Sequence, residues 1–572
     1  MDPKARNINR FSSCRGVAFE IQPHADPFAI PAPANNELPG GGSRRSWLPW
    51  AQGASVAPYS ASLRRTISRP SSHFCDLDMD DNDDGEDEEC YQSGVLGGID
   101  EHEKFDIEMQ KSPLSALFAE SVRGSVKIVP AAPKPAPKPK AKPDRLSVIL
   151  LDQGMFTVYK RLFFVSLVLN IAGLVLAATG RFPYARNRAA LFSIGNILAL
   201  VLCRSEAVLR VVFWLAVASL GHSWVPLRVK TMTTSLLQSL GGIHSGCGVS
   251  SVAWLVYALV LTLKNRADTS SEIIGVASAI LGLLCLSCLA AFPLVRHLHH
   301  NVFERTHRFA GWSALGLVWA FIILTIAYDP ITKTYTSGFG SKLIRHQEFW
   351  LTLVITILII LPWLTVRRVP VRVSAPSTHA SIIKFNGGVK SGILGRISPS
   401  PFSEWHAFGI ISDNKTEHMM LAGAVGDFTK SLVADPPTHL WVRSLHFAGL
   451  PYLTNMYNKA VLVATGSGIC VFLSFLLQPC SADVCVVWVA KGIEQNFGKE
   501  IKDWMSGHPK DKVIVHDTAV LGRPNVSEMT VAAARQWGAE VVIVTSNPEG
   551  SRDVVNACKD AGIAAFGPIW DS

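Results

Sequence analysis

Along this chain the spacing of apolar and polar positions changes character three times. Between residues 156 and 368 long apolar runs dominate, at 161–179, 189–203, 241–263, 273–293, 307–328 and 349–366. A helix that spans a bilayer needs about 20 mostly apolar residues, so these runs predict six spanning helices. A further apolar stretch, 207–220, is short and bracketed by Arg204, Arg210 and His222. It reads as a re-entrant or interfacial piece, with seven spans as the alternative. From 370 to 457 the apolar runs shorten to SIIKF, HAFGIIS, HMMLAGAV and THLWVRSL, with turn residues between them. That pattern predicts a small antiparallel barrel. From 458 to 572, AVLVAT enters a glycine turn followed by the apolar stretch VFLSFLL, read as a helix. Strands VCVVWVAK, KVIVHD, EVVIVTS and IAAFGPIW then alternate with helices IEQNFGKEIKDWM, EMTVAAARQWG and SRDVVNACKDAG. Strand and helix in alternation predict a doubly wound parallel sheet. Residues 1–145 have few periodic apolar positions and predict a disordered tail.

Composition sharpens this division. Of 572 residues, 17% are charged and 48% hydrophobic, against about 25% charged in an ordinary soluble domain, so part of the chain belongs in lipid. The formal charge of +9 conceals segregation. Asp76–Glu89 is a self-repelling acidic run that cannot bury surface, and its spacing is not that of a calcium loop. Residues 112–129 read as a short amphipathic helix. Pro133–Pro143 (PKPAPKPKAKP) reads as a stiff linker whose lysines suit anionic lipid. Basic loops around Arg204–Lys230, Arg296–Arg308 and Arg367–Arg372 put both chain ends in the cytoplasm of a multi-pass topology. The positive charge therefore points to the bilayer as partner and gives no support for nucleic acid, while the acidic tail implies a partner of unknown kind. No uninterrupted apolar core in the first thirty residues suggests a signal peptide. The 11 cysteines are scattered, with neither zinc-site pairing nor a disulfide framework, and Cys285 and Cys288 lie in an apolar run that suits packing.

The clearest chemical signal is Ala464-Thr465-Gly466-Ser467-Gly468-Ile469-Cys470, a strand end opening into a glycine turn. Such turns let a backbone approach a pyrophosphate. Val471 stands where a third glycine is usual, so a nucleotide loop and a tight structural turn are both open readings. At the end of the second strand Lys491 suits a ribose 2′-phosphate, which leans the cofactor toward NADPH over NADH.

Several motifs resemble the ferric reductase and NADPH oxidase superfamily. Glu404-Trp405-His406-Ala407-Phe408 is similar to its W-H-P-F flavin segment, Gly449-Leu450-Pro451-Tyr452 to its G-P-Y-G turn, and Val487–Lys491 to its W-V-x-R strand end. Asn187-Arg188 with Asn196 and Arg204 resembles its second span, and Thr306–Phe309 the start of its fifth. Thr306–Trp312, Val544–Pro548 and the closing Phe566–Ser572 resemble, more narrowly, the fungal TmpA-like membrane flavoproteins. The resemblance covers roughly residues 150–572. It implies a ferredoxin-reductase-like module beneath a membrane domain, binding FAD and NAD(P)H. By this resemblance Trp405, His406, Phe408 and Ser412 face FAD, and Trp570 can cover its ring, unless it is simply a packed tryptophan. Gly466, Ser467, Gly468, Ile469 and Cys470, with Thr545 and Asn547, face the nicotinamide nucleotide. The chain departs from the pattern at Ala407, for proline, and at Gly409, for the threonine that contacts the flavin.

The superfamily carries two histidines about thirteen residues apart on each of spans three and five. Here His244 and His307 match the first of each pair, and Tyr257, Ala258, Ala320 and Phe321 stand where the second would be. The resemblance thus implies at most one inner haem b between His244 and His307, unless both are merely interfacial and hydrogen-bonded. His297, His299 and His300 suit a solvated loop. With no relay to the outer face, the expectation is a flavoprotein oxidoreductase passing electrons from NAD(P)H through FAD to a small-molecule or protein acceptor near the cytoplasmic leaflet. The alternative is a catalytically weak sensor or scaffold that keeps the fold. A transporter with a regulatory domain is disfavoured because no internal repeat is evident.

Overall fold

The computed structural model describes residues 157–568. The tail, the acidic run, the linker, the 112–129 segment and Trp570 lie outside the described residues.

Eight principal helices make the first part of the described chain: α1 Val158–Ala178, α2 Ala189–Leu202, α3 Glu206–Leu220, α4 Leu227–Gln238, α5 Gly241–Lys264, α6 Ser271–Ala290, α7 His300–Ala327 and α8 Gln347–Leu364. Thr157 caps α1 through Lys160 N (3.3 Å) and Ser270 caps α6 through Ile273 N (3.3 Å). Among the described residues five helices are long and apolar enough to cross a membrane: α1, α5, α6, residues 302–327 of α7, and α8. The sixth expected span, 189–203, forms a helix of only 14 residues. It begins where the apolar run begins and falls short in length alone, about 21 Å at 1.5 Å per residue. Outward faces of α1 are apolar, with Val168 and Leu169 exposed, as suits a lipid solvent. Gly242 and Gly246 bring α5 against α1, since a Cβ at Gly242 would run into the Tyr159 carbonyl oxygen. Four-residue spacing of small residues is a recurrent device for close helix contact in membranes.

The stretch read as re-entrant or interfacial is α3, which packs against the soluble module. Its Phe213 and Leu237 of α4 share one core with the barrel. Arg210 of α3 donates to the His446 carbonyl (2.6 Å) and Thr234 of α4 bonds the Tyr457 hydroxyl (2.7 Å).

The barrel strands are β1 Val366–Pro370, β2 Arg372–Ser377, β3 Ala380–Asn386, β4 Ile393–Ser398, β5 His406–Gly409, β6 Ile411–Ser412, β7 Glu417–Gly423, β8 His439–Arg443 and β9 Phe447–Ala448, with helix α9 Asp427–Ala434 between β7 and β8. They form two antiparallel sheets, β9-β4-β8-β1 with β5 on β4, and β2-β3-β7-β6. The last part holds β10 Lys459–Thr465, β11 Asp483–Ala490, β12 Val513–Asp517, β13 Val541–Thr545 and β14 Ala565–Phe566, with helices α10 Ile493–Phe497, α11 Lys499–Ser506, α12 Val526–Trp537 and α13 Pro548–Asp560. The single helix expected over IEQNFGKEIKDWM is two, because Gly498 between them adopts φ +87°. The sheet is wholly parallel in the order β12-β11-β10-β13-β14. Its strands run as near-continuous Val, Ile and Ala, which is what burial on both faces demands. An antiparallel barrel followed by a doubly wound sheet is the arrangement of a ferredoxin-reductase-like module.

Candidate functional site

Strand order reverses between β10 and β13, and open α/β sheets take their ligands at the carboxyl ends of the strands beside such a switch point. The structure collects the expected nucleotide residues there. Gly466, at φ +53°, turns the chain out of β10. Trp488 of β11, fully buried, donates its indole N–H to the Gly466 carbonyl (2.9 Å). The Thr465 and Ser546 hydroxyls bond at 2.8 Å and tie the two strand ends together. Thr545 is buried beside them. Asn547 spends its side-chain oxygen capping α13 through Gly550 N (2.8 Å).

One expectation fails at this edge. The helix expected over 471–477 is a 3₁₀ turn, Gly466–Val471, followed by a single helical turn, Ser474–Leu477. The cause is tertiary. Ile469 to Leu473 are wedged beneath the barrel, and a Cβ on Gly409 would lie 2.7 Å from Val471 Cα. Ser474 locks the wedge by donating to the Ile410 carbonyl (2.7 Å) and accepting from Ser412 N (3.0 Å). A 3₁₀ turn still presents amide groups, but without the dipole of an α-helix behind them. The two departures from the superfamily pattern thus meet in space: Val471 fills the place that a side chain at 409 would need. Burial pushes the Cys470 thiol up to about 12, so it is a packing group at neutral pH.

Lys491 is exposed just past β11, and its carbonyl accepts from Asn496 Nδ2 (2.7 Å). The residue that sequence reasoning missed is Asp517 at the end of β12. Its carboxylate accepts from Gly492 N (2.8 Å), Ile493 N (2.9 Å) and Ala519 N (2.9 Å). Burial opposes its ionisation, yet these three bonds hold its pKa below the ordinary carboxylate value. An Asp opening the Asp-Thr-Ala-Val stretch is a helix-cap signal and was available in the sequence.

On the barrel, alternation along β5 puts His406 and Phe408 on one inward face. Phe408 is fully buried in the core, and His406 stacks on Phe428 with centroids 4.4 Å apart and 12° between planes. Ser412, the last of the expected flavin residues on the barrel, has its hydroxyl engaged within the barrel. Its hydroxyl donates to the Glu417 carbonyl (2.8 Å) and accepts from Val389 N (3.1 Å) and Asn414 N (3.0 Å), which fills a hydroxyl's one donor and two acceptor positions. Trp405 is buried at the seam with the helices, under the Arg443 guanidinium (4.6 Å) and edge-on to Trp363 of α8 (6.4 Å). That seam was not foreseen. Glu206 at the start of α3 pairs with Arg396 of β4 and with Arg443 of β8 (3.2 Å). Burial lowers the Arg443 pKa to about 10 against the pull of Glu206. A lone acid opening an otherwise apolar run was the available signal.

In the bundle, His244 of α5 and His307 of α7 do meet, with ring centroids 6.4 Å apart and 54° between planes. Nδ1 of His244 lies 3.0 Å from the Leu200 carbonyl, and Nδ1 of His307 lies 2.8 Å from Ser287 Oγ and 3.2 Å from its carbonyl. Helix groups thus engage Nδ1 of both rings and leave Nε2 of each to a partner. Among the described residues no three His, Cys, Asp or Glu side chains cluster to hold a metal ion.

Residues 450–572 match the family model described as adenylate-forming reductase 03009, C-terminal domain. Two relatives from Coprinopsis cinerea, named adenylate-forming reductase 03009 and adenylate-forming reductase 06235, are each 34% identical over 436 residues, covering 74% of this chain. The chain spans 41% of the length of each. Neither name refers to ferric reductases, NADPH oxidases or TmpA, so that resemblance rests on the quoted motifs. Among solved structures, phthalate dioxygenase reductase aligns at a TM-score of 0.27 and 12% identity, over 35% of this chain and 68% of its own. Ferredoxin–NADP+ reductase from Plasmodium falciparum with 2′P-AMP aligns at a TM-score of 0.26 and 9% identity, over 35% of this chain and 93% of its own. The sheets themselves carry the fold description.

Proposed function

We propose that this chain is a membrane-bound flavoprotein oxidoreductase that draws electrons from NAD(P)H through FAD to an acceptor at or near the cytoplasmic leaflet, with the short α2 as a sixth crossing and both chain ends therefore on that side. One observation carries the reading: a barrel precedes a parallel sheet whose switch point gathers the glycine turn, Thr545 and Ser546 at one edge. The amides of Gly466–Val471 suit a pyrophosphate, and the exposed Lys491 suits a 2′-phosphate, which favours NADPH. That the 34%-identical relatives are named reductases supports the same class of chemistry. On the barrel the expected FAD residues Trp405, His406, Phe408 and Ser412 lie on or beside β5 and β6, and that edge is where an isoalloxazine would lie. Flavin and nicotinamide supply hydride chemistry when bound; the chain's own residues bind and orient them. In the bundle, His244 and His307 would hold one haem through Nε2, since Nδ1 of each ring is held by a helix group, as the second ring nitrogen of a ligating histidine ordinarily is, and the haem would supply one-electron transfer there.

A second reading, a sensor or scaffold with little turnover, is favoured by the saturated Ser412 hydroxyl and the missing threonine at 409. An absorbance spectrum of the purified chain separates the two. Flavin bands that bleach on adding NADPH are expected, and a colourless protein would sink the reductase reading. A Soret band lost in His244→Ala or His307→Ala is expected for the haem, and its absence from the wild type removes that part.

A further inference from the structure

At the end of the bundle away from the soluble module, α2 and α8 part to leave a cleft of about 490 Å³. Small-molecule sites commonly have about 300–1,000 Å³, with apolar walls and a few placed polar groups. Phe192 and Trp350 supply aromatic walls, and Gly195 opens the floor, since a Cβ there would meet nothing within 4 Å. From Leu191 to Ala199 the cleft follows α2 for about 12 Å at 1.5 Å per residue. Its inner end at Ala199 is the neighbour of Leu200, whose carbonyl holds His244.

The polar groups in this cleft are oriented by necessity. The Trp254 indole can only donate, and it donates to Asn170 Oδ1 (2.9 Å). Asn170 Nδ2 correspondingly donates to the Ser166 carbonyl (2.9 Å). Asn196 must therefore present its amide N–H to Asn170 Oδ1 (2.8 Å) and to the Phe192 carbonyl (2.9 Å). Its own Oδ1 has no bond among the described residues and belongs to a side chain that is 8% exposed and lines the cleft. At the mouth the Tyr184 hydroxyl donates to Gln347 Oε1 (2.6 Å), which leaves the Gln347 N–H groups for a ligand carbonyl.

We propose that this cleft binds a lipophilic quinone in its hydroquinone and quinone forms. A flat ring suits the aromatic walls, a hydroxyl meets Asn196 Oδ1, a carbonyl meets Gln347 Nε2, and an apolar tail leaves toward lipid. For its redox role the proposal rests on the reductase reading and takes its acceptor deeper than the cytoplasmic leaflet, into the bundle from the inner end beside His244: overall, NAD(P)H gives two electrons and one proton by way of FAD, water gives the second proton, and quinone becomes hydroquinone while NAD(P)+ is released. Binding itself does not depend on that reading.

The test uses the full chain in lipid nanodiscs with a radiolabelled decyl-chain benzoquinone and its reduced form. Saturable binding of one molecule per chain is expected, tighter for the hydroquinone. Gly195→Leu, which fills the cleft, should weaken it at least tenfold, whereas Gly311→Leu on α7, equally open, should not. Binding that is unsaturable or unchanged by Gly195→Leu overturns the proposal, as does a phospholipid in the cleft that the quinone fails to displace in native mass spectrometry. The flavin spectrum of the same sample keeps the two readings apart. Quinone binding without flavin leaves the site and removes the reductase; NADPH-bleached flavin without quinone binding does the reverse.

Discussion

The parallel sheet and the helical bundle both hold polar chemistry inside apolar surroundings, and they do it by different means. In the sheet, topology does the placing: wherever β10 and β13 diverge, the polar residues at their ends must meet. Thr465 and Ser546 therefore touch although 81 positions separate them. In the bundle nothing in the topology requires Asn170, Asn196 and Trp254 to meet. Their contact follows from which helix faces pack, and each amide's orientation follows from its neighbour's. A site of the first kind is robust to its side chains, while a site of the second kind depends on every member.

The sharpest way to break that contrast is at the seam between the two regions. Glu206→Ala should cost about 3–5 kcal/mol, because it leaves Arg396 and Arg443 near one another without their shared carboxylate. Thermal unfolding in detergent reads this, and a variant melting with the wild type would show the seam to be incidental.

Acid should next distinguish barrel from sheet. Burial, reinforced by His418 and Arg210, lowers the His446 pKa to about 4 from an ordinary value near 6.5. Between pH 6.5 and 4 the unfolded chain takes up a proton that the folded chain refuses. Stability is therefore full above 6.5, falls by about 3 kcal/mol toward pH 4 and levels off below. Asp517 behaves oppositely in range: its contribution persists until pH drops through and below the ordinary carboxylate value. Hydrogen exchange resolved by region should find the barrel loosening before the sheet edge, and simultaneous loosening would count against this.

Gly409→Thr should then cost about 1–3 kcal/mol by overpacking against Val471. Combined with Val471→Gly, it should show a coupling of at least about 0.5 kcal/mol, whereas additive changes would separate the two positions. The paired indoles give a smaller effect. Trp488→Phe and Trp254→Phe should each cost about 1–2 kcal/mol, but only the former should weaken NADPH binding. Equal effects on NADPH would dissolve the contrast. Smallest of all, Arg305→Ala removes an exposed bridge to Glu404 (2.5 Å) and should shift stability by less than about 1 kcal/mol.

Much of the fold was legible because it is periodic. Apolar runs marked the long helices, short alternating runs the barrel, and Val-rich strands the parallel sheet. The errors fell where length or backbone geometry overrode pattern. The 189–203 run is apolar enough to be a span but makes a helix of only 14 residues, and Gly498 splits one expected helix into two. Site legibility followed the same line. Gly466, Thr545 and Lys491 could be placed from strand ends alone. Ser412 could not, because whether a hydroxyl is free depends on Val389, Asn414 and Glu417 around it. Nor could Glu206, whose two arginines stand 190 and 237 positions away.

By itself, then, the sequence determined the order of its parts and the class of each, since local periodicity states which surface an element must bury. It also determined that His244 and His307 begin two long apolar helices. Only the tertiary structure decided that those rings lie 6.4 Å apart, that Val471 occupies the space beside Gly409, and that Asn196, its amide N–H groups committed to Asn170 and Phe192, lines a cleft. Those outcomes hang on contacts between positions far apart in the chain, and hydrogen-bond donors and close-packed atoms accept only the partners that the packing brings within reach.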